Sequence, residues 1–231
     1  RERQTNSLGN FWNYFVKSTT RILLPIAFIG AVVLVFRGSP MTFEGKDNMI
    51  TMQGDTVQVS SGPAAAMVAI KQAGTNGGGY YGVNSSHPLE NPDYLTNMLE
   101  NVFILLIPIA LGFALGFYLK RRKLALMVFG VMTVGFLLLL APTIYFEMNG
   151  NPAISQMGVT EPTGSMEGKE IRHGTAASAL WAISTTATSN GSVNAMHDST
   201  MPLSGMNELL SMMVNSFYGG GGGGVLFVFL F

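Results

Sequence analysis

Two long apolar runs joined by a short basic segment limit what this chain can fold into. The first run, residues 95–119, carries Glu100 as its single charged residue, and the second, residues 124–146, carries none. Each run is longer than the roughly 20 residues that an α-helix needs to cross the hydrocarbon core of a bilayer. The sequence therefore predicts a membrane hairpin of two helices with the basic residues 120–123 at its tip.

The basic tip also predicts the orientation of the chain in the membrane. A third apolar run, residues 22–36, is long enough to span once the aromatic stretch 11–15 in front of it is added. Basic residues that flank membrane helices favour the cytoplasmic side, so the tip is expected there together with Arg1, Arg3, Lys17 and Arg21. Segments 37–94 and 147–205 are then both predicted to face outward.

Composition supports a membrane protein and excludes several other classes. Charged residues make up 11% of the chain, against about 25% in soluble domains. The formal net charge is zero, so nothing indicates a nucleic-acid partner. The absence of cysteine excludes a disulfide framework, an iron–sulfur cluster and thiol catalysis. The chain starts at Arg1 and stops inside the apolar run 225–231, so we expect an internal fragment of a longer protein.

Each outward segment contains an apolar stretch that is too short to span. Residues 63–73 form one and residues 174–188 the other, and each leads into a turn rich in glycine, asparagine and serine. About 10 to 14 apolar residues between spans fit a re-entrant segment. Irregular backbone at membrane depth requires surrounding protein or a water-filled cavity. The turns 74–79 and 189–193 are therefore predicted to line a pore.

The two re-entrant segments belong to an internal repeat. An offset of 114 residues superimposes them without gaps, and identical residues then coincide: Ala65 with Ala179, Ala73 with Ala187, Asn76 with Asn190, Gly77 with Gly191, Ser85 with Ser199, and Pro88 with Pro202. This pattern indicates a duplicated span–loop–span unit whose copies run parallel. The predicted fold is an all-α membrane protein with one unit in residues 1–119 and the next, truncated, in residues 120–231.

The glycine turns are predicted to bind potassium. A potassium filter replaces the hydration shell of the ion with successive backbone carbonyls, and glycine permits the backbone angles that such a stack needs. The hydroxyl groups of Thr75 and Ser189 supply possible further ligands. The predicted binding residues are Thr75, Asn76, Gly77 and Gly78 in the first turn, and Ser189, Asn190, Gly191 and Ser192 in the second. A tight turn in a packed loop without ions is the alternative.

Other polar and glycine-rich features have weaker interpretations. The predicted last span, residues 209–231, is interrupted by Gly219, Gly220, Gly221, Gly222, Gly223 and Gly224, which form either a gate or a close helix crossing. Glu90 and Asp93 are expected to be solvated loop charges. His197 and Asp198 are expected to pair and brace the loop, because no second ligand lies at a metal-site spacing. No catalytic constellation, nucleotide-binding loop or organic cofactor site is predicted.

Several longer motifs resemble one family. Residues 70–79 (Ile-Lys-Gln-Ala-Gly-Thr-Asn-Gly-Gly-Gly) and 87–92 (His-Pro-Leu-Glu-Asn-Pro) resemble the second pore loop of the potassium-binding subunits of the Kdp potassium-transporting ATPases. Residues 186–199 resemble the third pore loop, and Asn151-Pro152 and residues 166–170 the linker. That family has four span–loop–span units of the potassium transporter superfamily, so this chain would hold the second and third. Its unbroken hexaglycine departs from the family, which usually intersperses other residues.

The resemblance implies a function, a location and partners. Gly77 and Gly191 would be filter glycines of a non-catalytic subunit that selects extracellular potassium for ATP-driven uptake. The expected partners are a P-type ATPase catalytic subunit, which receives the ion, and small accessory subunits in a bacterial or archaeal plasma membrane. A pore-loop potassium channel or symporter without ATP coupling is the first alternative. A membrane-embedded enzyme subunit and a structural anchor are further alternatives, and the sequence offers neither a catalytic pair nor a structural reason for two matched glycine turns.

Overall fold

The computed structural model describes residues 9–214 and Tyr218, and three of the helices in this part are long and apolar enough to cross a membrane. The first extends over Phe11–Phe36 and consists of α1 (Phe11–Ser18), a π-helical turn (Thr19–Leu23) and α2 (Leu24–Phe36). Pro25 accounts for the π-helical turn, because proline lacks the N–H that would bond to the carbonyl of Arg21. The aromatic stretch 11–15 is therefore part of this helix, as predicted.

A β-hairpin and a short helix follow α2. Strands β1 (Lys46–Ile50) and β2 (Thr56–Ser60) pair antiparallel, with Lys46 opposite Ser60, and α3 spans Ala64–Ala73. The hairpin is a departure from the all-α prediction. Gly54 in its turn has a φ of +91°, and Val57 and Val59 alternate with polar residues along β2. The turn sets the pairing of these two adjacent strands locally, so the hairpin forms within the segment between α2 and α3.

The two remaining long helices form the predicted hairpin. Helix α4 spans Tyr94–Tyr118 and α5 spans Arg122–Met148. Helix α4 begins with a capping box, in which the Asp93 carboxylate accepts from the N–H of Thr96 and the Thr96 hydroxyl accepts from the N–H of Asp93. Near the tip the helices touch closely. A Cβ at Gly116 would overlap the Ala125 side chain and lie 3.1 Å from Ala125 Cα.

The second half of the chain repeats the order of a long helix, a short helix and a further helix. After α5 come α6 (Pro152–Gln156), α7 (Gly174–Thr188), a 3-10 turn (His197–Ser199) and α8 (Pro202–Val214). Helices α3 and α7 thus lie at the positions of the two short apolar stretches. The predicted far half of the last span and the candidate gate, Gly219–Gly224, lie outside the described residues, as do residues 1–8.

Each short helix is enclosed by longer ones. Helix α3 packs against α2 and α4, and α7 packs against α4, α5 and α8. Most of α7 is buried although it is rich in serine and threonine. Four of its hydroxyls donate to carbonyls one turn earlier in the same helix, those of Ser178, Ser184, Thr186 and Thr188. These bonds satisfy the four hydroxyl groups without partners from neighbouring elements, whereas the Thr175 hydroxyl donates to the carbonyl of Thr163.

The segment between α5 and α7 is held by buried charge. Glu147, at the end of α5, forms an ion pair with Lys169 at 2.8 Å, and both side chains are 1% exposed. The same carboxylate accepts from the backbone N–H of Met201 at 2.8 Å, next to the start of α8.

His173 is buried immediately before α7. Burial, and then the neighbouring Arg172, lower the pKa of His173 to about 4 although Asp93 opposes the shift, so the imidazole is neutral at pH 7.

The contact between α4 and α5 predicts a position-specific effect on stability. In the complete parent chain, Gly116→Val forces backbone displacement at Ala125, and overpacking of this kind costs on the order of 1–3 kcal/mol. We expect a lower midpoint of thermal unfolding in detergent. The matched control is Gly130→Val in α5, where an added Cβ has no neighbour within 4 Å among the described residues. Equal midpoints for the two variants would show that the close contact is absent.

His173 predicts a pH dependence of stability. Its folded-state pKa is about 4, below the ordinary 6.5, so the unfolded chain binds the proton first as the pH falls. The free energy of unfolding should therefore be highest above pH 6.5 and decrease as the pH falls from 6.5 toward 4. His173→Gln removes this proton from both states, and denaturant titrations should give a shallower pH slope for the variant. A slope identical to that of the wild type contradicts the prediction.

Candidate functional site

The two glycine-rich turns begin where α3 and α7 end, and both helices end in the same way. Thr75 and Ser189 follow the helices in the left-handed region, with φ of +52° and +56°. The next N–H, that of Asn76 or Asn190, donates back five residues to the carbonyl of Lys71 or Thr185, at 2.9 Å and 3.0 Å. This is the hydrogen bond of a Schellman motif, which usually has glycine at the left-handed position.

The backbone of both turns then continues in the same alternation through Gly77 and Gly191. These glycines have φ of +77° and +90°, while Asn76 and Asn190 between the left-handed residues lie outside that region. The two paths diverge at the next residue, because Gly78 keeps a positive φ of +83° and Ser192 does not. A β-branched residue such as Thr75 adopts the left-handed conformation at a cost of about 1–3 kcal/mol. Thr75 and Ser189 carry this left-handed conformation at matched positions of the two turns.

The two turns are in direct contact at Gly77. A Cβ on Gly77 would overlap the carbonyl oxygen of Asn190, lie 2.7 Å from its carbonyl carbon and lie 3.1 Å from the backbone nitrogen of Ser192. These are backbone atoms and cannot move aside as a flexible side chain does. Glycine is thus required at position 77 for two reasons, the positive φ and the proximity of the second turn. Gly191 also has a positive φ, but an added Cβ there has no described neighbour within 4 Å.

The carbonyls of the turns fall into two groups. Within the part of the chain that the structure describes, those of Asn76, Gly77 and Gly191 accept no hydrogen bond. By contrast, the Gly78 carbonyl accepts from Lys71 Nζ at 2.9 Å, and that of Ser192 accepts from Trp181 Nε1 at 2.7 Å.

All eight predicted binding residues therefore lie in two adjoining turns. The two groups of carbonyls within these turns have different surroundings. The carbonyls of Gly78 and Ser192 accept from side chains of the protein behind the turns, whereas those of Asn76, Gly77 and Gly191 accept no hydrogen bond from the described residues.

A buried ion pair behind the first turn was missed by the sequence analysis. Lys71 forms an ion pair with Glu90 and also donates to Ser85 Oγ at 2.6 Å. The other Glu90 oxygen accepts from the N–H of Tyr80 at 2.9 Å. Glu90 is 0% exposed, so the prediction of a solvated loop charge was wrong. Its spacing of 19 residues from Lys71 gives no local signal, since only the folding of the loop back onto α3 brings the two together.

Other charges around the turns also have partners. Asp93 bonds to Arg37 at 2.6 Å, which joins the end of α2 to the start of α4. Partial burial raises the pKa of Asp93, but the N–H of Thr96 and the Arg37 side chain outweigh it and hold the pKa below its ordinary value. The expected pairing of His197 with Asp198 was wrong, because the nearest acid to His197 is Glu208, at 3.6 Å.

The kinds of ligand that the turns offer are limited. Among the described residues there is no group of three or more histidines, cysteines or carboxylates that could hold a metal ion. A cation at the two turns would therefore meet backbone carbonyls and the hydroxyl groups of Thr75 and Ser189. Uncharged oxygens of this kind suit a weakly hydrated monovalent cation that binds and leaves quickly.

Comparison with known proteins places the chain in a family. The profile of a family described as "Potassium-transporting ATPase A subunit" matches residues 1–231. A chain from Flavobacterium psychrophilum is 62% identical and one from Flavobacterium johnsoniae 63% identical over 231 residues, which is 100% of this chain and 40% of each relative. A chain from Rhodospirillum centenum is 47% identical over 224 residues, 96% of this chain and 39% of the relative.

All three relatives are named "Potassium-transporting ATPase potassium-binding subunit". This chain spans about 40% of their length. By the match over its full length and these identities, the chain belongs to the family of the potassium-transporting ATPase A subunit.

Proposed function

We propose that this chain binds and selects extracellular potassium as part of the pore of an ATP-driven uptake complex. One observation carries the proposal: two turns, 114 residues apart in sequence, follow the same alternating backbone path and touch at Gly77. A single strained turn is compatible with simple packing. Two matched turns in direct contact are better explained by a shared ligand.

The chemistry of the turns favours a potassium ion. The carbonyls of Thr75, Asn76 and Gly77 and those of Ser189, Asn190 and Gly191 are the proposed ligands that replace its hydration shell. The partial negative charge at the C-terminal ends of α3 and α7 adds to the attraction for a cation. Gly78 and Ser192 complete the filter differently, because bonds from Lys71 and Trp181 hold their carbonyls on the protein side.

The wider assembly follows from the relatives. Since they are named subunits of a potassium-transporting ATPase, we propose that the chain is the non-catalytic partner of a P-type ATPase subunit and small accessory subunits. The location is a prokaryotic plasma membrane, with the basic residues 120–123 on the cytoplasmic side and the turns facing outward. Because this chain spans 40% of its relatives, other parts of the full-length protein are expected to complete the filter.

The filter assignment predicts a strong effect at Gly77. In the complete complex, Gly77→Ala places a methyl group against the Asn190 carbonyl and is strained by the positive φ. We expect the potassium concentration that half-saturates ATP hydrolysis to rise by about tenfold or more, since a loss of about 1.4 kcal/mol in binding gives that factor. Discrimination against sodium and rubidium should decrease as well. Gly191→Ala should show a smaller effect of the same kind, because its Cβ position is open.

Gly82→Ala is the matched control for both substitutions. Gly82 lies in the same loop as Gly77, an added Cβ has no described neighbour within 4 Å, and its φ is not in the left-handed region. It should leave the potassium response unchanged. If hydrolysis responds to potassium but neither Gly77→Ala nor Gly191→Ala alters the response, the turns are not the filter. If hydrolysis does not respond to potassium while the full-length chain transports it alone, the uncoupled channel or symporter is the better description.

A further inference from the structure

Gln72 lies in α3 just before the first turn, and its side chain is in contact with both repeats of the chain. It is 0% exposed, so its amide must find partners inside the protein. Its Nε2 donates to Glu100 Oε2 at 2.8 Å and to Ser85 Oγ at 3.2 Å, within its own half of the chain. Its Oε1 accepts from Ser192 Oγ at 2.9 Å, in the second turn. One side chain therefore joins α4, the first loop and the second turn.

Glu100 fixes the direction in which the Gln72 amide points. The Gln72 Nε2 donates to Glu100 Oε2 at 2.8 Å, which orients the amide with its Nε2 end toward Glu100. The Oε1 end then faces the second turn, where it accepts from Ser192 Oγ. Glu100 is 1% exposed and is the single acidic residue within α4, so its hydrogen-bond partner must come from inside the protein. The buried carboxylate thus has a structural consequence at a turn to which it makes no bond itself.

Ser192 connects the Gln72 side chain to the backbone of the second turn. Its N–H donates to Asn190 Oδ1 at 2.9 Å, and its carbonyl accepts from Trp181 at 2.7 Å. The Ser192 hydroxyl also contacts Asn190 Oδ1. A hydroxyl has one proton, so it can donate either to Gln72 or to Asn190 at a given moment. The position of Asn190, whose carbonyl faces Gly77, is therefore coupled to the bond between Gln72 and Ser192.

Among the described residues, the other bonds between the halves lie before α7, where Arg172 donates to the carbonyls of Asn91 and Ser86, or at and after Val193. Ser85 N–H donates to the carbonyl of Val193 at 2.7 Å, and Asn194 Nδ2 donates to Asn97 Oδ1 at 2.6 Å. These bonds hold the exits of the loops together. Gln72 acts at Ser192, the residue next to Gly191, where a displacement changes the distance between the two sets of carbonyls.

We propose that Gln72 is a positioning residue that holds the two turns in register through Ser192, and that this register sets the discrimination among monovalent cations. The inference rests on the proposed potassium function. A filter distinguishes ions of similar charge by the size of its cavity and the field of its carbonyls, and both depend on how far apart the two turns are held.

A double-mutant cycle in the complete complex tests the proposal. Gln72→Met keeps the side-chain length and removes the amide, while Ser192→Ala removes the hydroxyl and leaves the bond between Gln72 and Glu100 in place. Potassium, rubidium and sodium are titrated against ATP hydrolysis for the wild type, both single variants and the double variant. We expect each single variant to reduce the preference for potassium over rubidium by about three- to tenfold.

The double variant gives the decisive result. If Gln72 acts through Ser192, the double variant loses no more preference than the larger of the two single effects. Ser178→Ala is the matched control, since its buried hydroxyl donates only within α7 in the described structure. Ser178→Ala should leave the preference for potassium over rubidium unchanged, both alone and in combination with Gln72→Met.

Each other outcome has a definite meaning. Full additivity between Gln72→Met and Ser192→Ala, or single variants with unchanged preference, overturns the register proposal. If Gln72→Met prevents assembly, Ser192→Ala alone still decides, because an unaltered preference contradicts the proposal. A wild-type complex whose hydrolysis ignores potassium refutes the proposed function instead, so the two failures are distinguishable.

Discussion

The approach of Gly77 to the Asn190 carbonyl is the contact on which the arrangement of the two repeats depends. The contact joins the backbone of Gly77 to the backbone carbonyl of Asn190, so no side chain fits between the two turns at this point. It can form only if α3 and α7 end at the same depth and with the same geometry. The matched left-handed residues, Thr75 and Ser189, provide that geometry at a cost in local strain.

The protein behind the turns is unusually polar for a membrane domain. Lys71, Glu90 and Glu100 are buried close to one another, and each is held by specific partners. Removing two charges from water costs several kcal/mol per ion, and removing one partner of such a pair leaves the other uncompensated. Buried ion pairs of this kind therefore add little to the stability of a fold, but they restrict the positions of the groups that form them. The proposed filter therefore has a fixed polar scaffold behind its turns, while the carbonyls of Asn76, Gly77 and Gly191 accept no hydrogen bond from the described residues.

The long helices and the two turns could be predicted from sequence because their signals are local. Each signal can be read from residues that are close together in the sequence: an apolar run of sufficient length, four basic residues in a row, or a repeated Asn-Gly dipeptide. The burial of Glu90 could not be predicted, because an acid in a loop between polar residues has the same local pattern whether solvated or paired. The hairpin of β1 and β2 was missed for a different reason, since its short strands lie in a segment read only as a connection between membrane helices.

The sequence by itself determined which segments are long enough to cross a membrane, and where glycine, threonine and serine interrupt the short helices. It also determined that the two units are similar, because an identical offset relates their residues. Only the tertiary structure decided that the turns touch and that Gly77 rather than Gly191 has no room for a side chain. It also decided that Gln72 joins the two halves. The physical reason is that these contacts join residues more than 110 positions apart, and helix packing alone brings them within bonding distance.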